Sequence, residues 1–319
     1  MKKRTGLVGL AIAGAAGAAA GVAIKRRRVG RADLAPLEHD PLAPLEGQDR
    51  DLVMSDGGTI SLTEMGPPDG PVVVLIHGWV NDRRVWCDVA PRLIDAGHRV
   101  IAYDQRGHGR SRIGSEPCTI SRLGDDLHEV LAQLDIDDVV IAGHSMGGMA
   151  AQAMLIDHVS DVARVHAIVL VATGAAGVGL PPQARALADA VIRWKRGDAF
   201  MSRAGIGNAI VRGAFGRKAR PEHINAVREM LLNTPIPTRR EFVHAMSDMD
   251  LRHGLPDVKV PTAIIVGTVD TLTPPARARH IAAGIPGSTL EVLPGRGHML
   301  TWEAPDEVAH LIELAAKQD

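Results

Sequence analysis

One stretch restricts the folds open to this chain more than any other: Val139-Val140-Ile141-Ala142-Gly143-His144-Ser145-Met146-Gly147-Gly148. An apolar run rich in β-branched residues stops at Gly-x-Ser-x-Gly, and Met149-Ala150-Ala151-Gln152-Ala153-Met154-Leu155 continues with good helix formers. A strand that becomes a helix at one residue forces that residue into a strained backbone conformation. Glycines two before and two after it give the room, because a Cβ at either place would collide across the turn. The pattern therefore predicts that Ser145 is held out at the C-terminal edge of a sheet. The N-terminus of the following helix lies behind it and favours developing negative charge. An ordinary turn serine is the competing reading, and the strand-to-helix setting argues against it.

The rest of the chain supplies the sheet that such a turn needs. Leu52 to Thr63, broken at Asp56-Gly57-Gly58, reads as a β-hairpin, and Pro67-Pro68-Asp69-Gly70 as a turn. Val72-Val73-Val74-Leu75-Ile76 is a continuous apolar run, as expected of a strand buried on both faces. Similar runs are Val100 to Tyr103, Val139 to Ala142, Ala167 to Ala172, Ala263 to Val266 and Leu290 to Leu293. Helical patterns separate most of them, at about 84–96, 119–134, 146–159, 276–284 and 305–317. This alternation predicts an α/β fold with a doubly wound, mostly parallel sheet, its reactive groups gathered beyond the C-terminal strand ends. Between Thr173 and Val260 the strand pattern lapses. Leu187, Ala190, Val191 and Trp194 share one helical face, and Ile224, Val227 and Leu231 another. Both ends of this helical insertion, at about 175–250, emerge from the active edge, so it is expected to cap the site; a separate lobe is the alternative.

A serine hydroxyl is a poor nucleophile until a base takes its proton, and the base needs a carboxylate to fix its tautomer. Each partner should follow a buried strand on the same edge. Beyond Ala263-Ile264-Ile265-Val266 comes Asp270, and beyond Leu290-Glu291-Val292-Leu293 comes Gly297-His298. The predicted set is Ser145, Asp270 and His298, with Asp104 as the competing carboxylate because it also follows a strand. His280 and His310 fall inside helical patterns. An oxyanion needs two backbone N–H donors. Met146, directly after the serine, offers one, and Trp79, in the His77-Gly78-Trp79 loop after the first long buried strand, offers the other. His77 is expected to shape that loop, and His144 to face the packed side of the sheet.

The chain's first residues read differently. Gly6 to Ile24 is a run of nineteen uncharged residues, mostly Ala and Gly, between Lys2-Lys3-Arg4 and Lys25-Arg26-Arg27-Arg28. As a helix it would span about 28 Å, close to the thickness of a bilayer's hydrocarbon layer. A membrane anchor over residues 6–24, a cleaved signal peptide and an Ala/Gly-rich tail compete. The anchor is preferred, because basic residues directly after the run oppose export. The expected layout is an apolar segment at 1–31, a Pro-containing linker at 32–50 and a catalytic domain at 51–319, membrane-associated on the cytoplasmic side. Export or a soluble cytoplasmic protein are the alternatives. Residues 175–245 carry a +7 balance that could steer anionic lipids, or reflect an arginine-rich composition on a solvated surface. Aromatics make up only 3% of the chain, so a base-stacking platform for nucleic acid is not expected. The histidines lack metal-ligand spacing and the two cysteines lack a Cys-x-x-Cys pattern, so neither a metal nor a cofactor is expected.

Four motifs occur in order: His77-Gly78-Trp79, Asp104-Gln105-Arg106-Gly107-His108-Gly109-Arg110-Ser111, Gly143-His144-Ser145-Met146-Gly147-Gly148, and Gly297-His298 with Asp270 upstream. From about Leu52 onward the chain resembles the α/β-hydrolase-fold serine hydrolases, in their esterase, lipase and cofactor-free haloperoxidase-like branch. Epoxide hydrolases and haloalkane dehalogenases of this fold carry aspartate where Ser145 stands, which argues against those activities. The resemblance implies a structural role for Asp104–Ser111, with Arg106 tied by hydrogen bonds. It implies hydrolysis of carboxylic esters, expected here to be hydrophobic or lipid-like, through an acyl-enzyme on Ser145. Thioesterase, lactonase, carbon–carbon hydrolase and haloperoxidase or perhydrolase chemistry use the same three residues. A non-enzymatic, membrane-tethered ligand-binding protein is the reading from another class.

Overall fold

The computed structural model describes residue 37, residues 39–177, residues 186, 190 and 192, residues 197–217 and residues 219–318. The expected anchor at 6–24, linker residues 32–36 and 38, and Leu187, Val191 and Trp194 of the first insertion face lie outside these described residues. Among the described residues no helix is long and apolar enough to cross a membrane.

Eight strands form one sheet. They are β1 (Gln48–Val53), β2 (Thr59–Met65), β3 (Val72–Ile76), β4 (Arg99–Tyr103), β5 (Val139–His144), β6 (Val165–Val171), β7 (Thr262–Gly267) and β8 (Thr289–Leu293). Their order is β1-β2-β4-β3-β5-β6-β7-β8. The β1–β2 and β2–β4 pairs are antiparallel and the rest are parallel. β1 starts at Gln48, inside the stretch read as linker to residue 50. Its Gln48, Asp49 and Arg50 are exposed, so the strand carries no apolar alternation there; backbone pairing with Glu64, Thr63 and Leu62 makes it a strand.

β5 and β7 are buried at every position, and β3 and β4 at every position after their first. Successive side chains of a strand point to opposite faces, so two cores result. Val74, Ile76, Ile101 and Ile141 pack on one side, and Val73, Leu75, Val100 and Val140 on the other. Helix α1 (Ala90–Asp95) follows a 3₁₀ turn at Arg83–Trp86, where one helix over 84–96 was expected. Pro91 separates them, since its ring lacks an N–H and would clash inside a continuous helix. Helix α2 (Ile120–Gln133) is capped by Thr119, whose hydroxyl accepts the Arg122 N–H at 3.0 Å. Helix α3 (Met146–Asp157) packs beside it against the β5 side.

Between β6 and β7 run α4 (Gly197–Met201), α5 (Ala204–Val211), α6 (Pro221–Asn233) and α7 (Ile236–Asp248). Then come α8 (Pro275–Gly284), the short α9 (Leu300–Glu303) and α10 (Pro305–Ala315). The Asp104–Ser111 loop is pinned by Arg106. Its guanidinium donates to Asp126 at 2.6 and 2.7 Å and to Asp56 at 2.9 Å, with all three side chains about 1% exposed.

Candidate active site

Ser145 sits where β5 becomes α3, with φ 52° and ψ −115°. A non-glycine residue holds this conformation only when its surroundings over-determine it, and here they do. Its N–H donates to Val171 O at 2.9 Å, and its carbonyl accepts the Thr173 hydroxyl at 2.6 Å and the Gly148 N–H at 3.0 Å. A Cβ at Gly143 would lie 2.5 Å from Gly147 O, and one at Gly147 would lie 2.3 Å from Ile76 O. Both distances are below any tolerable contact, so the close passage of strand, turn and neighbouring strand requires these glycines.

The loops after β7 and β8 bring the other two groups together. Asp270 is 3% exposed, and its Oδ2 accepts from His298 Nδ1 at 2.9 Å. Its Oδ1 accepts the N–H groups of Leu272 and Thr273 at 2.8 and 2.9 Å. The Thr273 hydroxyl lies 2.8 Å from Asp270 Oδ2 and 2.7 Å from Ala172 O, with one proton to give. Burial works against the Asp270 charge, but the His298 ring and the donors of Thr273 outweigh it and hold the carboxyl below its ordinary range. With Nδ1–H committed to Asp270, the Nε2 of His298 is left as the basic atom. His298 and Ser145 line the same cavity. Among the described residues no hydrogen bond joins the Ser145 hydroxyl to the His298 ring; such bonds are often long without substrate and close in the complex.

Asp104, the competing carboxylate, is occupied elsewhere. It accepts from the N–H of Arg83 and of Arg110, both at 2.8 Å, and from the Arg83 guanidinium at 3.1 Å. His77 shapes its loop through both ring nitrogens. The Gln105 N–H donates to Nε2 at 2.8 Å, which leaves Nδ1–H to donate to Gly78 O at 2.7 Å. Trp79 lines the cavity and Met146 opens α3 directly after Ser145, and among the described residues neither backbone N–H has a hydrogen-bond partner. Gly78 passes close to the turn, where a Cβ would lie 3.1 Å from Ser145 Cβ. Directly after Trp79, Val80 holds φ 54°, a costly state for a β-branched residue that turns the loop sharply.

His144 is buried, at 1% exposed, on the face of β5 that also carries Val140 and Ala142; its ring lies 4.9 Å from the His298 ring, and Nε2–H donates to His298 O at 3.0 Å. Burial, with the adjoining His298, pushes its imidazole down to about 3, so it stays neutral and positions the His298 loop. Glu303 was missed. It is buried in α9 and accepts the N–H of Gly216 at 2.7 Å and of Gly297 at 3.1 Å, tying the loop of His298 to the chain before α6.

The cavity holds about 690 Å³ and takes much of its wall from apolar groups, among them Trp79, Met149, Val211, Val227, Val243 and Met246. Such a site fits an uncharged apolar moiety delivered to Ser145.

This fold and arrangement place the chain in a family: the alpha/beta hydrolase fold family matches over residues 71–305, and the chain belongs to it. It is 28% identical over 249 residues to a non-heme chloroperoxidase of Kitasatospora aureofaciens, spanning 76% of this chain and 90% of that enzyme. A 3-oxoadipate enol-lactonase of Acinetobacter baylyi is 27% identical over 254 residues, spanning 79% and 90%. An esterase from Exiguobacterium antarcticum shares the fold with a TM-score of 0.75 at 24% identity, over 85% of this chain and 100% of that one.

Proposed function

We propose that this protein is a serine hydrolase that cleaves carboxylic esters with apolar acyl groups. The observation that carries the reading is Ser145 on its strained turn, facing one cavity with His298, whose other nitrogen is engaged by buried Asp270. In this scheme Nε2 of His298 takes the Ser145 proton as Oγ attacks the ester carbonyl. The backbone N–H groups of Met146 and Trp79 receive the oxyanion. His298 then gives the proton to the leaving alcohol, and an acyl-enzyme remains on Ser145. A water, deprotonated by His298, attacks that acyl group and releases the acid. Asp270 stays ionised throughout and steadies the imidazolium. Residues 175–250 serve as the cap, because α5, α6 and α7 supply much of the apolar wall.

The chloroperoxidase and enol-lactonase relatives support two variants of the same acyl transfer. In one, hydrogen peroxide replaces water at the second attack; in the other, the ester is a ring. The test is labelling by a fluorophosphonate probe with the wild type and Ser145→Ala, followed by 4-nitrophenyl esters of increasing acyl length. Labelling and turnover lost in Ser145→Ala are expected. Labelling that persists in the variant, or a wild type inert to both probe and esters, overturns the reading.

A further inference from the structure

Every arginine that is fully buried among the described residues has a carboxylate partner. Arg83 pairs with Asp104, Arg106 and Arg122 with Asp126, Arg228 with Glu229, and Arg239 with Asp198. Arg277 differs from these five in both burial and pairing. It is half-buried in the cavity wall that also holds Ser145 and His298, and its one hydrogen bond is from Nη1 to the carbonyl of Ala176. Among the described residues no carboxylate pairs with it. The nearby acid whose charge it feels is Asp270, which is already committed to His298, Leu272 and Thr273.

Two features add to the cost of this arrangement. A cation withdrawn from water without an anion loses hydration that nothing repays, and accordingly burial lowers the affinity of the guanidinium for its proton. Arg277 is also in the first turn of α8 (Pro275–Gly284), where the helix dipole already presents positive charge. Two sources of positive potential therefore add at one place in the cavity wall, where the other lining arginine, Arg239, is already paired with Asp198. The side chain runs beside Gly174, where a Cβ would lie 3.3 Å from Arg277 Cδ and 3.4 Å from Nη1. Gly174 follows Thr173, whose hydroxyl holds the Ser145 carbonyl. The unpaired guanidinium thus stands on the wall of the reacting centre, four of its five N–H donors unused.

We propose that Arg277 is a specificity-determining residue that receives a carboxylate carried by the substrate, so that the preferred esters are apolar in the middle and anionic at one end. The proposal rests on the hydrolase reading above and adds the charge of the substrate to it. A planar guanidinium meets a carboxylate through two parallel hydrogen bonds. The carboxylate can belong to the acyl part or to the alcohol part, and the test separates the two.

Wild type, Arg277→Gln and Arg277→Lys are assayed on two pairs of esters. The first pair is the mono-4-nitrophenyl ester of glutaric acid against 4-nitrophenyl valerate; the second is 4-carboxyphenyl butyrate against phenyl butyrate. In one pair, Arg277→Gln is expected to lower kcat/KM for the charged ester at least tenfold, chiefly through KM. The neutral ester should stay within threefold, and Arg277→Lys should recover part of the loss. The pair that responds tells which side carries the charge. Equal losses on charged and neutral esters in both pairs would reduce Arg277 to a tie on Ala176 and overturn the proposal. So would a wild type that labels with fluorophosphonate yet shows no dependence on the carboxylate in either pair. Hexanoate supplies a readout independent of turnover: it should raise the Tm of the wild type and not of Arg277→Gln, with hexanol as the uncharged control. If labelling fails while this shift is seen, the hydrolase reading falls and the anion site stands; equal shifts in both proteins overturn the site.

Discussion

Replacing Glu303 by Gln removes a titration while keeping the shape and one oxygen acceptor for the N–H groups of Gly216 and Gly297. Burial drives the Glu303 carboxyl from its ordinary 4.5 up to about 7, against the pull of those two N–H groups and of Arg296 and Arg212. Between these values the folded protein keeps a proton that the unfolded chain has released. Each unit of difference is worth 1.36 kcal/mol, so Glu303 makes the fold about 3 kcal/mol less stable above pH 7 than below pH 4.5. The loss accrues as pH rises through that window and stops once the folded carboxyl has ionised. Urea unfolding followed by tryptophan fluorescence at pH 5, 6, 7 and 8 measures it. Subtracting the wild-type curve from that of Glu303→Gln cancels the other titrating groups. The variant should gain about 2 to 3 kcal/mol on the wild type between pH 5 and pH 8. A difference that stays constant within about 0.5 kcal/mol across that range would refute the account, since it would mean that Glu303 ionises alike in both states.

Two further substitutions probe separate parts of the molecule. Arg106→Met leaves buried Asp56 and Asp126 with Arg122 as their one remaining cation, 3.0 Å from Asp126 and 4.0 Å from Asp56, and should cost about 3 kcal/mol, read as a lower urea midpoint at pH 7; a loss under about 1 kcal/mol contradicts the network's role. Thr273→Val tests whether the hydroxyl's one proton goes to Asp270, 2.8 Å away, or to Ala172 O, 2.7 Å away: donation to Asp270 should lower kcat on 4-nitrophenyl butyrate about 10- to 100-fold with KM little changed, because a hydrogen bond to a charged group is worth about 1.5 to 3 kcal/mol. A fall in kcat smaller than about threefold would show that the remaining donors suffice.

The parts of this protein visible in its sequence are those fixed by local geometry. Ser145, with Gly143 and Gly147 around it, is legible because a strand-to-helix turn admits few other residues. Asp270 and His298 are legible because buried parallel strands announce their own ends, and the loops beyond them fall on one rim. What was missed depends on contacts across the fold. β1 was placed too late because Gln48, Asp49 and Arg50 gain their strand conformation from pairing with β2, not from burial. The helix expected over 84–96 was broken by Pro91, a local signal that was passed over. The hydrogen bond from His144 could not be read because nothing in an apolar run tells that a loop 154 residues away offers its carbonyl. Glu303 and Arg277 read as ordinary charges on helices; only the loops folded over them make one a buried clamp and the other a cation without a partner.

The connections beneath the reacting groups carry a mechanical consequence. Ser145 hangs from the end of β6 through the carbonyl of Val171 and the hydroxyl of Thr173. Thr273 reaches the carbonyl of Ala172, and the His298 N–H bonds Ala214 O at 2.7 Å. Each group is thereby tied to the end of β6 or to the connection between β6 and β7, outside its own loop. Reactivity in such a molecule should vanish in a single step with the collapse of the central sheet, and a partly opened form with a working centre has no place on its unfolding route.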